Sequence, residues 1–120
     1  MTTDATNEEP AAWLRGVIEL AAAAVLAEGD RHGYAVAQRL GEAGFGRLKG
    51  GVLYPVLARL ESEGVLSSTW AAGEGGPGRK VYSLTDDGAR WLAAQSTRWG
   101  RFAERMDQLL STNVQKGRAR

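Results

Sequence analysis

The sequence has no cysteine and a single histidine among its 120 residues. Disulfides, thiol chemistry and cysteine-based zinc sites are therefore excluded. Long apolar runs are also missing. The longest, Leu20–Ala27 (LAAAAVLA), is far too short to cross a bilayer and has neither the flanks nor the position of a signal peptide. A soluble cytoplasmic protein with no membrane partner is the default expectation. No carboxylate pair stands in an apolar setting, and the one histidine, His32, sits in a turn, where a solvated role is expected and a contact to a nucleic-acid backbone is the alternative. An enzyme, a cofactor and a metal site are accordingly not expected. Charge of either sign is scarce in the balance: the net is only +1, weak support by itself for a nucleic-acid partner.

The distribution of charge says more. Met1–Glu28 carries Arg15 against Asp4, Glu8, Glu9, Glu19 and Glu28. Gly29–Leu60 reverses the sign, with Arg31, Arg39, Arg47, Lys49 and Arg59 against Asp30 and Glu42. Glu61–Gly78 is acidic again, and the chain from Arg79 onward is basic. Positive charge thus gathers around one central stretch and on the Arg79–Lys80 pair.

That central stretch, Lys49–Gly64, reads KGGVLYPVLARLESEG. Leu53, Val56, Leu57 and Leu60 fall in one stripe of a helix, and Gly64 is a good left-handed stop. Pro55 lacks an N–H and is expected near the first turn. Val52, Pro55, Arg59 and Ser62 lie opposite the apolar stripe, with Tyr54 at its edge and Lys49 just before. A phenol, a guanidinium and small side chains on a helix backed by a core suit insertion into the major groove of DNA.

Taken in order, the chain opens with a polar arm over residues 1–10, expected to be disordered. A helix follows over Ala11–Ala27, with Leu14, Val17, Ile18, Ala21 and Val25 in a stripe that Leu20, Ala24 and Leu26 widen. So wide an apolar surface suggests a second subunit. Gly29–Gly33 reads as a turn and Tyr34–Ala43 as a second helix, broken by Gly44 and Gly46 before the third. Val65–Ala72 and Arg79–Leu84 read as strands around a glycine-rich tip, forming a β-hairpin with a basic base. Thr85, Asp86 and Asp87 open a last helix. Along it Trp99, Phe102, Ala103, Met106, Leu109 and Leu110 recur at steps of three and four, close to a heptad seam, with Trp91 and Leu92 in an earlier portion. The expected fold is mainly α with a small β-hairpin: a winged helix-turn-helix over 11–84, a long dimerisation helix over 85–111 and a flexible basic tail over 112–120.

Several motifs resemble those of PadR-family transcriptional regulators. They are Gly33-Tyr34, Gly51-Val52-Leu53-Tyr54-Pro55, Arg59-Leu60-Glu61-Ser62-Glu63-Gly64, Trp70, Gly78-Arg79-Lys80-Val81-Tyr82 and Leu84-Thr85-Asp86-Asp87-Gly88. The single terminal helix resembles the short subgroup. Val52 departs from the pattern, standing where the family usually has serine or threonine; its methyls could touch a thymine methyl instead. The resemblance implies a homodimeric repressor, released from its operator by small molecules or other cues; two-fold symmetry would make that double-stranded operator pseudo-palindromic. The candidate DNA-contacting residues are Tyr34, Lys49, Gly51, Val52, Tyr54, Pro55, Arg59, Arg79 and Lys80. Trp91, Leu92, Trp99, Phe102, Met106, Leu109 and Leu110 are candidates for the dimer interface. Short-subgroup relatives hold flat aromatic ligands between paired tryptophans, which implies a site at Trp99 with Val17 and Ile18, suited to a planar and preferably cationic ring. A winged-helix module that binds protein rather than DNA is the alternative.

Overall fold

The computed structural model of the chain describes residues 11–73 and 76–118. The N-terminal arm, Glu74 and Gly75 of the hairpin tip, and the last two residues lie outside that range. Helix α1 spans Ala11–Ala27. It buries Ile18, Ala22, Ala23, Val25 and Leu26, whereas Leu14, Val17, Leu20 and Ala21 are only half covered. The buried face is thus turned from the stripe the sequence suggests toward Ala22, and the rest of that stripe lies along the side shared with the last helix.

The stretch expected to be a plain turn contains a short strand, β1 (Arg31–His32). It adds to the far edge of the hairpin, pairing Arg31 with Tyr82 and His32 with Val81. Helix α2 follows at once over Gly33–Leu40, capped by the His32 side chain, whose Nδ1 accepts from the Ala35 N–H at 3.3 Å. It ends three residues earlier than periodicity suggests. A single π-type turn, Gly41–Phe45, continues it until Gly44, at φ 100°, stops the coil.

Helix α3 spans Gly50–Ser62 and buries Leu53, Leu57 and Leu60. Its opening is tight, with Val52 and Leu53 both donating to the Lys49 carbonyl at 3.0 and 3.1 Å. Pro55 is the sixth residue of α3, one turn deeper than expected. It cannot donate to the Gly51 carbonyl, but Gly51 and Pro55 both face solvent, so water can satisfy that group. At the other end Gly64 (φ 80°) donates to Glu61 at 3.1 Å and Val65 to Leu60 at 2.9 Å. This is a Schellman stop, with Leu60 and Val65 packed in the core beneath it.

Strands β2 (Leu66–Gly73) and β3 (Gly76–Leu84) form the wing and complete a three-stranded antiparallel sheet in the order β1-β3-β2. Tyr82 is buried and Leu84 packs on the core beside it, as the alternation suggests. Helix α4 runs from Asp86 to Arg118. Thr85 caps it, accepting from the Gly88 N–H at 2.8 Å and donating to the Gly64 carbonyl at 2.6 Å. The helix does not end near Ser111: residues 112–118, expected as a flexible tail, continue it. At 1.5 Å per residue such a helix is about 50 Å long, and it gives the molecule its 64 Å longest dimension.

Candidate nucleic-acid interface

Two helices and the wing converge on one surface. Tyr54, on α3, lays its ring across two glycines. A Cβ on Gly33 would stand 2.4 Å from its Cε1, and one on Gly50 would stand 3.0 Å from its Cδ2. The ring therefore closes the joint between α2 and α3 while remaining 48 % exposed. Tyr34, at the start of α2, is exposed and stacks on the His32 imidazole with centroids 6.3 Å apart. Arg79 of β3 reaches the same imidazole, placing Nη1 3.2 Å from Nε2. Together with Lys80 and Tyr82 these residues line a cleft of ≈ 400 Å³ at the joint of α2, α3 and the wing.

Lys80 is tied down at this joint. Its Nζ lies 3.1 Å from Glu61 and 5.5 Å from the centre of the Tyr82 ring. Glu61, near the end of α3, also accepts from the Ser68 hydroxyl at 2.6 Å. The Ser68 hydrogen bond and then Lys80 hold the Glu61 carboxyl below its ordinary value, and Glu61 in turn holds Lys80 above its own. The pair pins the wing to the reading helix.

The outward face of α3 is small and weakly polar. Lys49, Gly51, Val52, Tyr54, Pro55, Ala58, Arg59 and Ser62 are all exposed. Arg59 leans off this face onto α1, where Glu19 pairs with it. Sequence reasoning gave no role to Glu19, Glu61 or the capping function of His32. Glu19 and Glu61 act on residues far along the chain, so no local spacing signals them; the His32 cap is local, three residues from Ala35, but histidine is not among the usual N-cap residues.

The second group of candidates divides. Ile18 is 3 % exposed and belongs to the core, so it cannot line a ligand slot; Val17, together with Trp13 and Leu14, lies beside Trp99. Trp91 and Leu92 are half-buried and pack on the chain's own core. Trp99, Phe102, Met106, Leu109 and Leu110 all remain exposed on α4. Between α1 and α4 lies an open hollow of ≈ 680 Å³, lined by Trp91, Trp99 and Phe102 and also by Glu19, Arg98, Arg101 and Arg105. Its charge is predominantly positive. Among the described residues no group of histidine, aspartate or glutamate is placed to hold a metal ion, and no helix is long and apolar enough to cross a membrane.

A model of the Transcriptional regulator PadR-like family matches residues 23–94, more than half of the chain. The match takes in α2, α3, the wing and the start of α4. The chain belongs to the PadR-like family of transcriptional regulators. Solved structures agree. A PadR family regulator from Eggerthella lenta is 34% identical over 86% of this chain and 90% of its own, with a TM-score of 0.73. One from Bacillus cereus is 31% identical over 81% and 94%, with a TM-score of 0.71. One from Clostridium difficile is 29% identical over 78% and 98%, with a TM-score of 0.70. No curated protein matches the sequence. Membership supports a DNA-binding regulator. The converging surface of α2, α3 and the wing is the place to look for the DNA.

Proposed function

We propose that this PadR-like regulator is a homodimeric repressor whose two α3 helices enter successive major grooves of a pseudo-palindromic operator. The observation that carries this reading is the joint built by Tyr54, Gly33 and the Glu61–Lys80 pair, which fixes wing and helix as one rigid surface. Tyr54 and the small residues around Gly51, Val52 and Pro55 approach the bases; Lys49 and Arg79 approach the phosphates. Lys80 acts through its bond to Glu61 more than through DNA.

Binding-site selection with the purified protein tests this. The expected result is an enriched pseudo-palindrome with half-sites about one helical turn apart, and reduced transcription in vitro from a promoter that carries it. Tyr54→Ala should cost roughly 1–3 kcal/mol and blur specificity. Arg79→Ala should weaken all sequences alike and lower the salt slope by about one. No enrichment of any sequence would overturn the reading.

Arg59 needs a separate statement, because Glu19 holds it in the free protein. To reach DNA it must leave that carboxylate. An exposed ion pair is worth about 0.2–1 kcal/mol, so Glu19→Gln should tighten operator binding by roughly 1.4- to fivefold for each half-site through Arg59. The gain should vanish in an Arg59→Ala background. Both are read by fluorescence anisotropy on labelled operator.

For the effector, the hollow between α1 and α4 is the natural seat, completed by the partner's α4 in the dimer. Trp99 and Phe102, with ring centroids 5.9 Å apart, supply stacking surface. Arg98, Arg101 and Arg105 against the single carboxylate of Glu19 favour a planar aromatic acid. That reverses the preference for a cationic ring drawn from the paired indoles alone. Glu19 belongs both to this hollow and to the clasp on Arg59, which gives the ligand a direct route to the reading helix.

A further inference from the structure

The hydrogen bonds around His32 do not balance. The Ala35 N–H points at Nδ1 from 3.3 Å, and Arg79 Nη1 faces Nε2 from 3.2 Å. A guanidinium only donates, and so does a backbone N–H; a neutral imidazole has one accepting nitrogen. With the proton on Nε2 the ring caps α2, but Nε2–H then faces the N–H of Arg79. With the proton on Nδ1 the bond from Arg79 forms and the cap is lost. The doubly protonated ring forfeits both. No state of the two side chains alone satisfies both contacts.

The neighbouring carboxylates do not relieve this. Glu61 is turned to Ser68 and Lys80, and Glu28 to Arg31 and Arg39. Among the described residues no carboxylate pairs with Arg79. The His32 ring lies nearly parallel to the Tyr34 ring, with 13° between their planes. Its Nε2 edge and Arg79 both border the ≈ 400 Å³ cleft at the joint of α2, α3 and the wing. What would satisfy them is an anionic oxygen that accepts from both at once.

The geometry points to a phosphate clamp: His32 Nε2–H and Arg79 together hold one backbone phosphate of the DNA, and its binding selects the Nε2–H tautomer that caps α2. The clamp rests on the DNA-binding reading of this surface. It adds a sequence-independent contact made by a neutral side chain, and it makes the cap of α2 strongest when DNA is bound. In the free protein the two tautomers compete, because each satisfies one contact and breaks the other.

His32 is the chain's only histidine, so a long-range ¹H–¹⁵N spectrum reads one imidazole without assignment. The free protein should show averaged nitrogens from a mixture of tautomers. Addition of the selected operator duplex should shift them to the Nε2–H form. Inorganic phosphate alone, at the same phosphate concentration, should leave the mixture in place. A full shift with inorganic phosphate would mark a free-anion site instead and overturn the assignment to DNA. His32→Ser keeps a capping oxygen and removes the Nε2 donor. It should weaken every DNA sequence about tenfold, the scale of one hydrogen bond to a charged group, without changing the salt slope. Adding Arg79→Ala to His32→Ser should then cost less than Arg79→Ala alone, because the two share one phosphate. Wild-type binding with an unaffected His32→Ser variant, or with strictly additive losses, would overturn the clamp and leave the DNA-binding reading standing. Failure of the wild type to bind any duplex would overturn both.

Discussion

Replacing Gly88 with alanine is expected to lower the free energy of unfolding by about 3 kcal/mol, the upper range for overpacking a core. For a domain of this size that is a fall of more than about 10 °C in Tm. Gly88 is buried in the first turn of α4, and a Cβ there would lie 2.0 Å from the Val65 carbonyl oxygen and 2.9 Å from Leu84 Cδ1. The Val65 oxygen is backbone and already accepts from the Thr85 N–H at 3.1 Å. It cannot rotate out of the way. The added methyl must push α4 off the end of the sheet, breaking the Thr85 cap as it goes. Gly100, farther along α4, has nothing within 4 Å of its Cβ position. Gly100→Ala should therefore stabilise the helix by about 0.5–1 kcal/mol. Thermal melts of the two variants check the contrast. Equal Tm values would mean that α4 does not leave the wing at this joint. The effect matters beyond stability, because the same joint sets the direction of α4 relative to the surface formed by α3 and the wing.

Much of this architecture is written locally in the sequence. Leu53, Leu57 and Leu60 repeat with helical period and Gly64 stops them, so α3 is legible from its own residues. The same holds for the cap at Thr85 and for the alternation that buries Tyr82. Strand β1 is not legible, since two residues carry no period; Arg31 and His32 become a strand only because β3 offers an unpaired edge. Ile18, Trp91 and Leu92 are apolar residues on wide apolar faces, and periodicity cannot tell which part of such a face its own chain will cover. The pairs that shape the proposed DNA surface, Glu19 with Arg59, Glu61 with Lys80 and His32 with Arg79, join separate elements. Charge counts gather basic residues around α3 and the wing but cannot show that Arg59 and Lys80 are already partnered. Arg79 and Lys80 are neighbours in sequence. Yet alternation along β3 turns one to His32 and the other to Glu61, and so gives them different work.

Met106→Glu is expected to have the largest effect on function, by separating the subunits of the proposed dimer. Trp99, Phe102, Met106, Leu109, Leu110 and Val114 are each between 44 % and 61 % exposed in the single chain. They follow one another along α4 at steps of one, three and four, so they form a continuous apolar seam, and only the first part of α4 lies against its own domain. A two-fold interface counts every residue twice. Burying one methionine contributes about 1.5–3 kcal/mol, so losing two removes roughly 3–6 kcal/mol before the penalty for burying a glutamate is added. The dimer dissociation constant should rise by at least about a thousandfold. Light scattering at micromolar concentration should show the mass fall to that of one chain, while the melt of the winged domain changes little, because Met106 is exposed in the chain alone. DNA binding should fail in a characteristic way. Affinity for an isolated half-site should stay as it was, and affinity for the full operator should drop toward that value, because linking two half-sites is what raises affinity by about 10²–10⁴-fold. A Met106→Glu protein that remains dimeric would mean that the subunits meet elsewhere. A monomeric one that still binds the full operator tightly would mean that one α3 is enough.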